Sequence, residues 1–330
     1  MSFKKQNSAS LISHILILLA VIAVMAFLRP ESFWTVNNLS TVILQQAPYT
    51  ILMAFGMSLA ILAKGIDISM ASVMVLSCYL SAPFFKEGNW LLGVLIAFGV
   101  GIGFGICNGL LISKIRIEPF IATFSVDFVA LGIAYVVCNG KYIYGFSNSF
   151  RWITNGELIP GIPNVALITI VVFLLLLFLT RYTIYGRELY SVGYNAVAAQ
   201  HSGIRVDRMI ISVYAINGSL AALTGILFLG RLNAADPSIR GTLTMDSIAS
   251  ALVGGIAFGG GKGSVVNTVI GALIIMFIRN GMNILGISTN WQQSVVGLII
   301  LLSTFYNLGI ENVIKKIIAL RSMDQKQPVQ

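Results

Sequence analysis

WLLGVLIAFGVGIGFGICNGLLIS, residues 90–113, runs for 24 positions without a charged side chain. At 1.5 Å of rise per residue, about 20 apolar residues cross a hydrocarbon layer of about 30 Å. The stretch reads as a helix that crosses a membrane. Gly99, Gly101, Gly103, Gly105 and Gly109 give it the G-x-x-x-G spacing three times. Small residues let helix backbones approach where lipid removes any hydrophobic drive between helices. Tight packing inside one chain is therefore expected of this face, with dimerisation through it as the alternative.

The same criterion, carried outward, gives ten candidate spans: 11–28, 41–63, 68–85, 90–113, 119–138, 164–180, 209–230, 244–260, 264–284 and 291–310. Composition agrees. The 330 residues are 57% hydrophobic and only 10% charged, with a mean hydropathy of +0.88. A soluble domain carries roughly a quarter charged residues, so the surplus apolar surface must face lipid. The fold class expected is all-α, a polytopic membrane protein read as a single transmembrane domain over 1–330. The run Leu11–Leu28 follows Lys4 and Lys5 like a signal peptide. It is too long for one and lacks a small-residue cleavage site, so it reads as a retained first helix. Span 244–260 is the weakest, because Gly254-Gly255 and Gly259-Gly260-Gly261 interrupt it.

Orientation follows from Lys and Arg, which concentrate on the cytoplasmic side. With both termini cytoplasmic, Arg29, Lys86, Lys141, Arg151, Arg231, Arg240 and Arg279 fall outside, and the other 14 of the 21 fall inside. Membrane topology thus explains the formal charge of +9 better than nucleic-acid binding does. An even number of spans invites a search for halves. Asn108-Gly109 lies near the inner end of the fourth span and Asn280-Gly281 near the outer end of the ninth. Asp67 opens the third span from inside, and Asp246 opens the eighth from outside. Five helices per half would invert the second half, as in transporters built from inverted repeats.

Few segments could carry chemistry. GGGKGS at 259–264 fails the phosphate-loop pattern, because Ile256 occupies its first glycine position and Gly263 follows Lys262. The chain is not expected to hold ATP, and the glycines read as a break between helix segments. Cys78, Cys107 and Cys138 stand singly in apolar runs, and His14 and His201 lack ligand-spaced companions. No metal, cofactor or enzyme active site is indicated. Asp127 stands near mid-helix, where an acid costs about 2.5–3.5 kcal/mol on insertion scales. It must face other helices or a watery path, beside Asn or Ser groups. Residues 181–208 form the longest charged cytoplasmic stretch. Its centre, Glu188 to Ser202, bracketed by Gly186 and Gly203, reads as a short surface helix suited to contact a partner.

At these residues the chain resembles the ribose-type permeases of bacterial ATP-binding-cassette (ABC) sugar importers. The resemblance rests on KGIDISMASVMVLS (64–77), EPFIATF (118–124), IYGRELYSVGYNAVAAQHSGIRVDRM (184–209), SLAALTGIL (219–227), MDSIASALVGGIAFGGGKGSVVNTVIGALI (245–274) and RNGMNILGIS (279–288). It covers about 45–310 in collinear order. The resemblance implies the importer-permease fold in the bacterial inner membrane, paired with a second permease copy or close relative. It also implies a cytoplasmic ATPase that binds the ATP, and an extracytoplasmic sugar-binding protein. The ATPase-coupling residues would be Gly186, Arg187, Glu188, Asn195 and Gly203. Departures from the family's pattern at Ala71, Asp127, Leu131, Tyr194-Asn195-Ala196, Thr244-Met245 and Asn267 bear on substrate identity.

A neutral sugar needs hydrogen-bonding groups on otherwise apolar helices. Asn108, Asp127, Asp246, Ser247 and Asn280 are the candidates for its path, with helix capping the competing role, above all for Asp67 and Asp246. The alternative function is a stand-alone proton-coupled transporter with Asp127 as carrier. The scarcity of other buried acids speaks against it.

Overall fold

The computed structural model describes residues 3–305, and they are overwhelmingly helical. The distal end of the span read over 291–310 lies outside the described residues, as do the basic residues Lys315, Lys316, Arg321 and Lys326. Among the described residues six helices are long and apolar enough to cross a membrane, and three shorter apolar helices accompany them.

The chain begins with α1 (Phe3–Leu28). A helical run over Val36–Leu62 forms α2. Next come α3 (Met70–Lys86), α4 (Trp90–Ser113), α5 (Pro119–Cys138) and α6 (Asn164–Tyr182). The stretch read as one surface helix is two, α7 (Ile184–Tyr194) and α8 (Ala196–His201). Asn195 separates them in extended backbone, ending one helix and capping the next by accepting from the Ala198 amide at 3.0 Å. The later long elements are α9 (Val206–Leu232), α10 (Leu243–Val253), α11 (Val265–Ile284) and the helix over 289–305, α12. Two short helices, Pro30–Phe33 and Asn148–Asn155, lie in the connections. Two tiny antiparallel pairings join the loops: Ile143–Tyr144 with Ala234–Ala235, and Glu157–Ile159 with Ile162–Pro163.

Burial is distributed as hydrocarbon solvent requires. Every residue from Ala47 to Leu62 of α2 is buried, so this helix is the axis of the bundle. Near its start, Thr41–Gln46 forms a π-helical segment just before Pro48, which has no N–H to give. The guanidinium of Arg231 donates to the Gln45 carbonyl at 2.9 Å and lies over the Tyr49 ring. By contrast, Leu91 and Leu95 of α4, Phe124 and Phe128 of α5, and Leu174 and Phe178 of α6 are exposed. In water such faces would aggregate; in a bilayer they meet their own kind.

The glycines of α4 face α9 of the same chain. A Cβ on Gly101 would stand 2.3 Å from the Gly218 carbonyl, and one on Gly105 2.2 Å from that of Tyr214. Gly109 meets Ile211 in the same way, whereas Gly99 and Gly103 point into open space. Packing inside one chain therefore accounts for Gly101, Gly105 and Gly109 of this stripe.

The reading of 244–260 as one span is corrected. Helix α10 ends at Val253, where Gly255 adopts φ +79° and the Ile256 amide returns to the Ala251 carbonyl. The chain then loops to Ser264, whose hydroxyl caps α11. Gly254, beside the break, packs on α11 so closely that a Cβ would lie 2.6 Å from the Asn267 carbonyl, and only glycine fits there.

Helix α4 offers a contrast that checks this packing. Gly105→Leu drives a side chain into the Tyr214 backbone and is expected to cost about 1–3 kcal/mol or more through overpacking. Thermal unfolding of the detergent-solubilised protein should show it, while Gly103→Leu, on the open side, unfolds like the parent.

Candidate functional site

Two regions bring the polar residues together: the α7–α8 surface and a belt of polar groups around the first turn of α3.

Helix α7 is held by backbone contact. Gly186 packs against the Thr180 carbonyl at a distance that admits no Cβ. Gly193 does the same against the Leu62 carbonyl, at the end of α2, and against the Gly261 amide. That amide donates to the same Leu62 oxygen at 3.0 Å, and Tyr190 donates to the Gly263 carbonyl at 2.9 Å. Burial pushes the Tyr190 phenol above its ordinary pKa, so it remains a donor. The loop after α10 is thus a seat for α7, with Gly260 and Gly261 at positive φ beneath it. Along the rest of α7–α8, Arg187 is exposed, Glu188 half-buried, and Tyr194 and Val197 stand 73% and 66% exposed. Gly203, at φ +86°, closes α8, and its amide returns to the Gln200 carbonyl. Just beyond, Asp207 meets Lys114 at 2.7 Å, an exposed pair worth under about 1 kcal/mol.

The second region begins at Asp67. One carboxylate oxygen accepts from the Ser69 amide at 3.1 Å and from its hydroxyl at 2.6 Å; the other accepts from Asn217 of α9 at 3.3 Å. Asn108 of α4 donates to the Ser69 hydroxyl at 2.8 Å. The side-chain carbonyl oxygens of Asn108 and Asn217 are buried without a partner among the described residues. One turn further, Ser72 donates to Asp127 of α5. Arg240, in a short 3-10 turn over Pro237–Arg240, donates to Ser72 at 2.8 Å and to Asp127 at 3.0 Å. Asp127 is the ninth residue of α5, about 12 Å from Pro119. Helix α3 therefore begins part-way along α5, not level with its end.

Asp246 sits in the first turn of α10 but caps nothing there. Arg279 of α11 grips it through Nε at 2.8 Å and Nη2 at 2.6 Å, and Thr242 adds a hydroxyl at 2.7 Å. Arg279 also reaches Gln292 of α12, which in turn donates to Asn283. Ser247 donates to the Thr244 carbonyl, and Asn280 exchanges two hydrogen bonds with Asn38 at 2.8 and 3.1 Å.

Of the five path candidates, the structure unites Asn108 and Asp127 around the start of α3. It places Asp246, Ser247 and Asn280 in a separate cluster along α10 and α11. Sequence reasoning missed Ser72, Asn217, Gly193 and the two arginines as partners. A signal existed: Arg279 lay inside an apolar span, and a charge there demands a counter-charge. Among the described residues no three His, Cys, Asp or Glu side chains converge as metal ligands.

Comparison with known proteins adds lineage. The family described as "Branched-chain amino acid transport system / permease component" matches residues 38–304. The ribose import permease of Escherichia coli K12 is 38% identical over 291 residues, 87% of this chain and 90% of that one. The D-allose transport system permease of the same strain is 36% identical, covering 85% and 86%. The ribose import permease of Bacillus subtilis is 35% identical, covering 87% and 89%. No solved structure gives a significant match.

The Asp246–Arg279 pair supplies a test of the second cluster. Arg279→Met leaves a buried carboxylate uncompensated and should destabilise the protein by about 3–5 kcal/mol. Adding Asp246→Leu removes the orphaned charge and should restore most of the loss, read as recovery of the unfolding temperature.

Proposed function

The chain belongs to the ribose-type permease family of ABC sugar importers, and from that membership we propose that it translocates a sugar or sugar-like solute delivered by an extracytoplasmic binding protein. It is a non-catalytic transport subunit. ATP would be bound and hydrolysed by a separate cytoplasmic ATPase, and a second copy or close relative would complete the pore. Among the described residues the six long helices, the three shorter ones and α12 make ten apolar helices. With the short α10 and the loop after it taken as one broken crossing, that number supports ten spans, and the excess of Lys and Arg in the inner segments supports both termini cytoplasmic.

The observation that carries this reading is the seating of α7 on the Leu62 carbonyl and the Gly261 amide. A push on α7–α8 reaches α2, the axis of the bundle, and the α10–α11 loop through backbone atoms, with no flexible side chain between. Gly186, Arg187, Glu188, Asn195 and Gly203 would form the coupling element, with Tyr194 and Val197 as its apolar contacts. Such a contact surface, an exposed aromatic beside a branched aliphatic residue, suits a protein partner.

Two solute classes are in play. The matching family is described for branched-chain amino acids, whereas the relatives above are named for ribose and allose. Identity over most of both chains favours the sugars. Proton coupling through Asp127 is the poorer reading, because its carboxylate is committed to Arg240 and Ser72.

Uptake of labelled ribose, allose, fructose and leucine by a deletion strain decides the class. Loss of a sugar with leucine unaffected is expected; loss of leucine alone would overturn the sugar assignment. An uncoupler that collapses the proton gradient at constant ATP should leave the uptake rate unchanged. Removing an aromatic interface anchor typically costs about 2 kcal/mol, roughly thirtyfold in affinity. Tyr194→Asp should therefore release the ATPase in co-purification, while Glu188→Ala and Gly203→Ala retain assembly but lower transport-coupled hydrolysis. Normal coupling in all three would make α7–α8 a passive connection.

A further inference from the structure

Arg240 occupies an unusual place. The strand Ala234–Ala235 pairs with Ile143–Tyr144, just past the Cys138 end of α5. Five residues beyond Ala235, the Arg240 guanidinium touches Asp127, near the middle of the same helix. The connection between α9 and α10 therefore descends from the end of the bundle to about half its depth, through a 3-10 turn and Gly241 at φ +46°. Irregular backbone at membrane depth persists only where protein encloses it or where it lines water.

The side chains choose between these. Asp127 is 5% exposed, but the Arg240 side chain is 38% exposed. A charged side chain that open at mid-depth cannot face hydrocarbon, so its open side faces a polar cavity. The Arg240–Asp127 pair also carries no net charge of its own. Asp127 offsets the positive charge at 3.0 Å, and Ser72 bridges both groups. An anion entering would meet the carboxylate just behind the guanidinium, and a cation would meet the guanidinium first. A neutral molecule rich in hydroxyl groups meets oriented N–H donors whose charge is already paired with Asp127.

We propose that Arg240, positioned by Asp127 and Ser72, is the mid-membrane recognition group for the solute in transit, donating hydrogen bonds to the oxygens of a neutral polyol. The class of solute rests on the importer reading above; the watery mid-depth site does not. Sequence reasoning counted Arg240 among the outer basic residues, because a charge on a loop gives no sign that the loop dips inward.

The first experiment uses Arg240→Cys in the full complex, with Cys78, Cys107 and Cys138 each replaced by Ala, in membrane vesicles. A quaternary-ammonium methanethiosulfonate should modify the thiol in the resting or the ATP–vanadate state, and ribose, allose or fructose should slow it. No modification in either state overturns the site. Slowing by gluconate but by none of the sugars overturns the neutral class.

The second compares ribose, allose and fructose uptake in Arg240→Lys and Arg240→Gln, and in Arg240→Gln combined with Asp127→Asn, which leaves no orphaned charge. The double variant should reach normal membrane levels yet take up the sugar about tenfold more slowly, as expected for lost hydrogen bonds to the solute. Arg240→Lys, which keeps a donor, should retain more uptake than Arg240→Gln. Normal uptake by the double variant overturns the proposal. If the unaltered complex takes up none of the three sugars, the sugar reading fails, and thiol modification alone decides whether residue 240 lines a watery path.

Discussion

The carbonyl of Leu62 accepts a hydrogen bond from the Gly261 amide and bears the backbone of Gly193 against it. Three segments far apart in sequence share that one oxygen: the end of the central helix, the glycine loop after α10, and the surface helix α7. Gly260 and Gly261, both at positive φ and against the backbone of Gly193 and Tyr194, owe their presence to this meeting. They look like a phosphate cradle only as letters; in space they let main chains touch. Because the joint is built from backbone, it transmits displacement with little slack, whatever the side chains around it do.

Much of the fold was legible because lipid imposes a simple demand. Residues 90–113 and 119–138 are helices over those very bounds, since charge-free runs of that length have few other options in a membrane. The glycine stripe of α4 was legible as a packing face. Less legible was what happens when a span is broken. The run 244–260 has the composition of a helix, but its glycines reverse the chain after Val253, and only the neighbouring α11 shows why a side chain at Gly254 is forbidden.

The polar sites were half legible. Asp127 announces itself as an acid among apolar residues, and Ser72 belongs to the Ser and Asn partners expected of it. Its cation lies 113 residues away in a connecting segment, where charge is ordinarily unremarkable. Asp67 and Asp246 look like counterparts in the sequence. In space one is satisfied by Ser69 and Asn217, the other by an arginine. A short polar pattern records that an acid is needed at a helix start, not what will neutralise it.

The contact between Gly101 and Gly218 has an evolutionary consequence. A Cβ on Gly218 would lie 1.9 Å from the Gly101 carbonyl, and one on Gly101 would lie 2.3 Å from that of Gly218. Neither position can accept a larger residue unless the helices first draw apart. No single substitution elsewhere accomplishes that, because Gly105 and Gly109 hold the same two helices at the same distance. Drift at these sites is therefore blocked one step at a time. The lipid-facing side of α6, around Leu174 and Phe178, is free to wander among apolar residues. In a lineage descending from this chain, the smallest residues would be the slowest clock and the bulkiest the fastest.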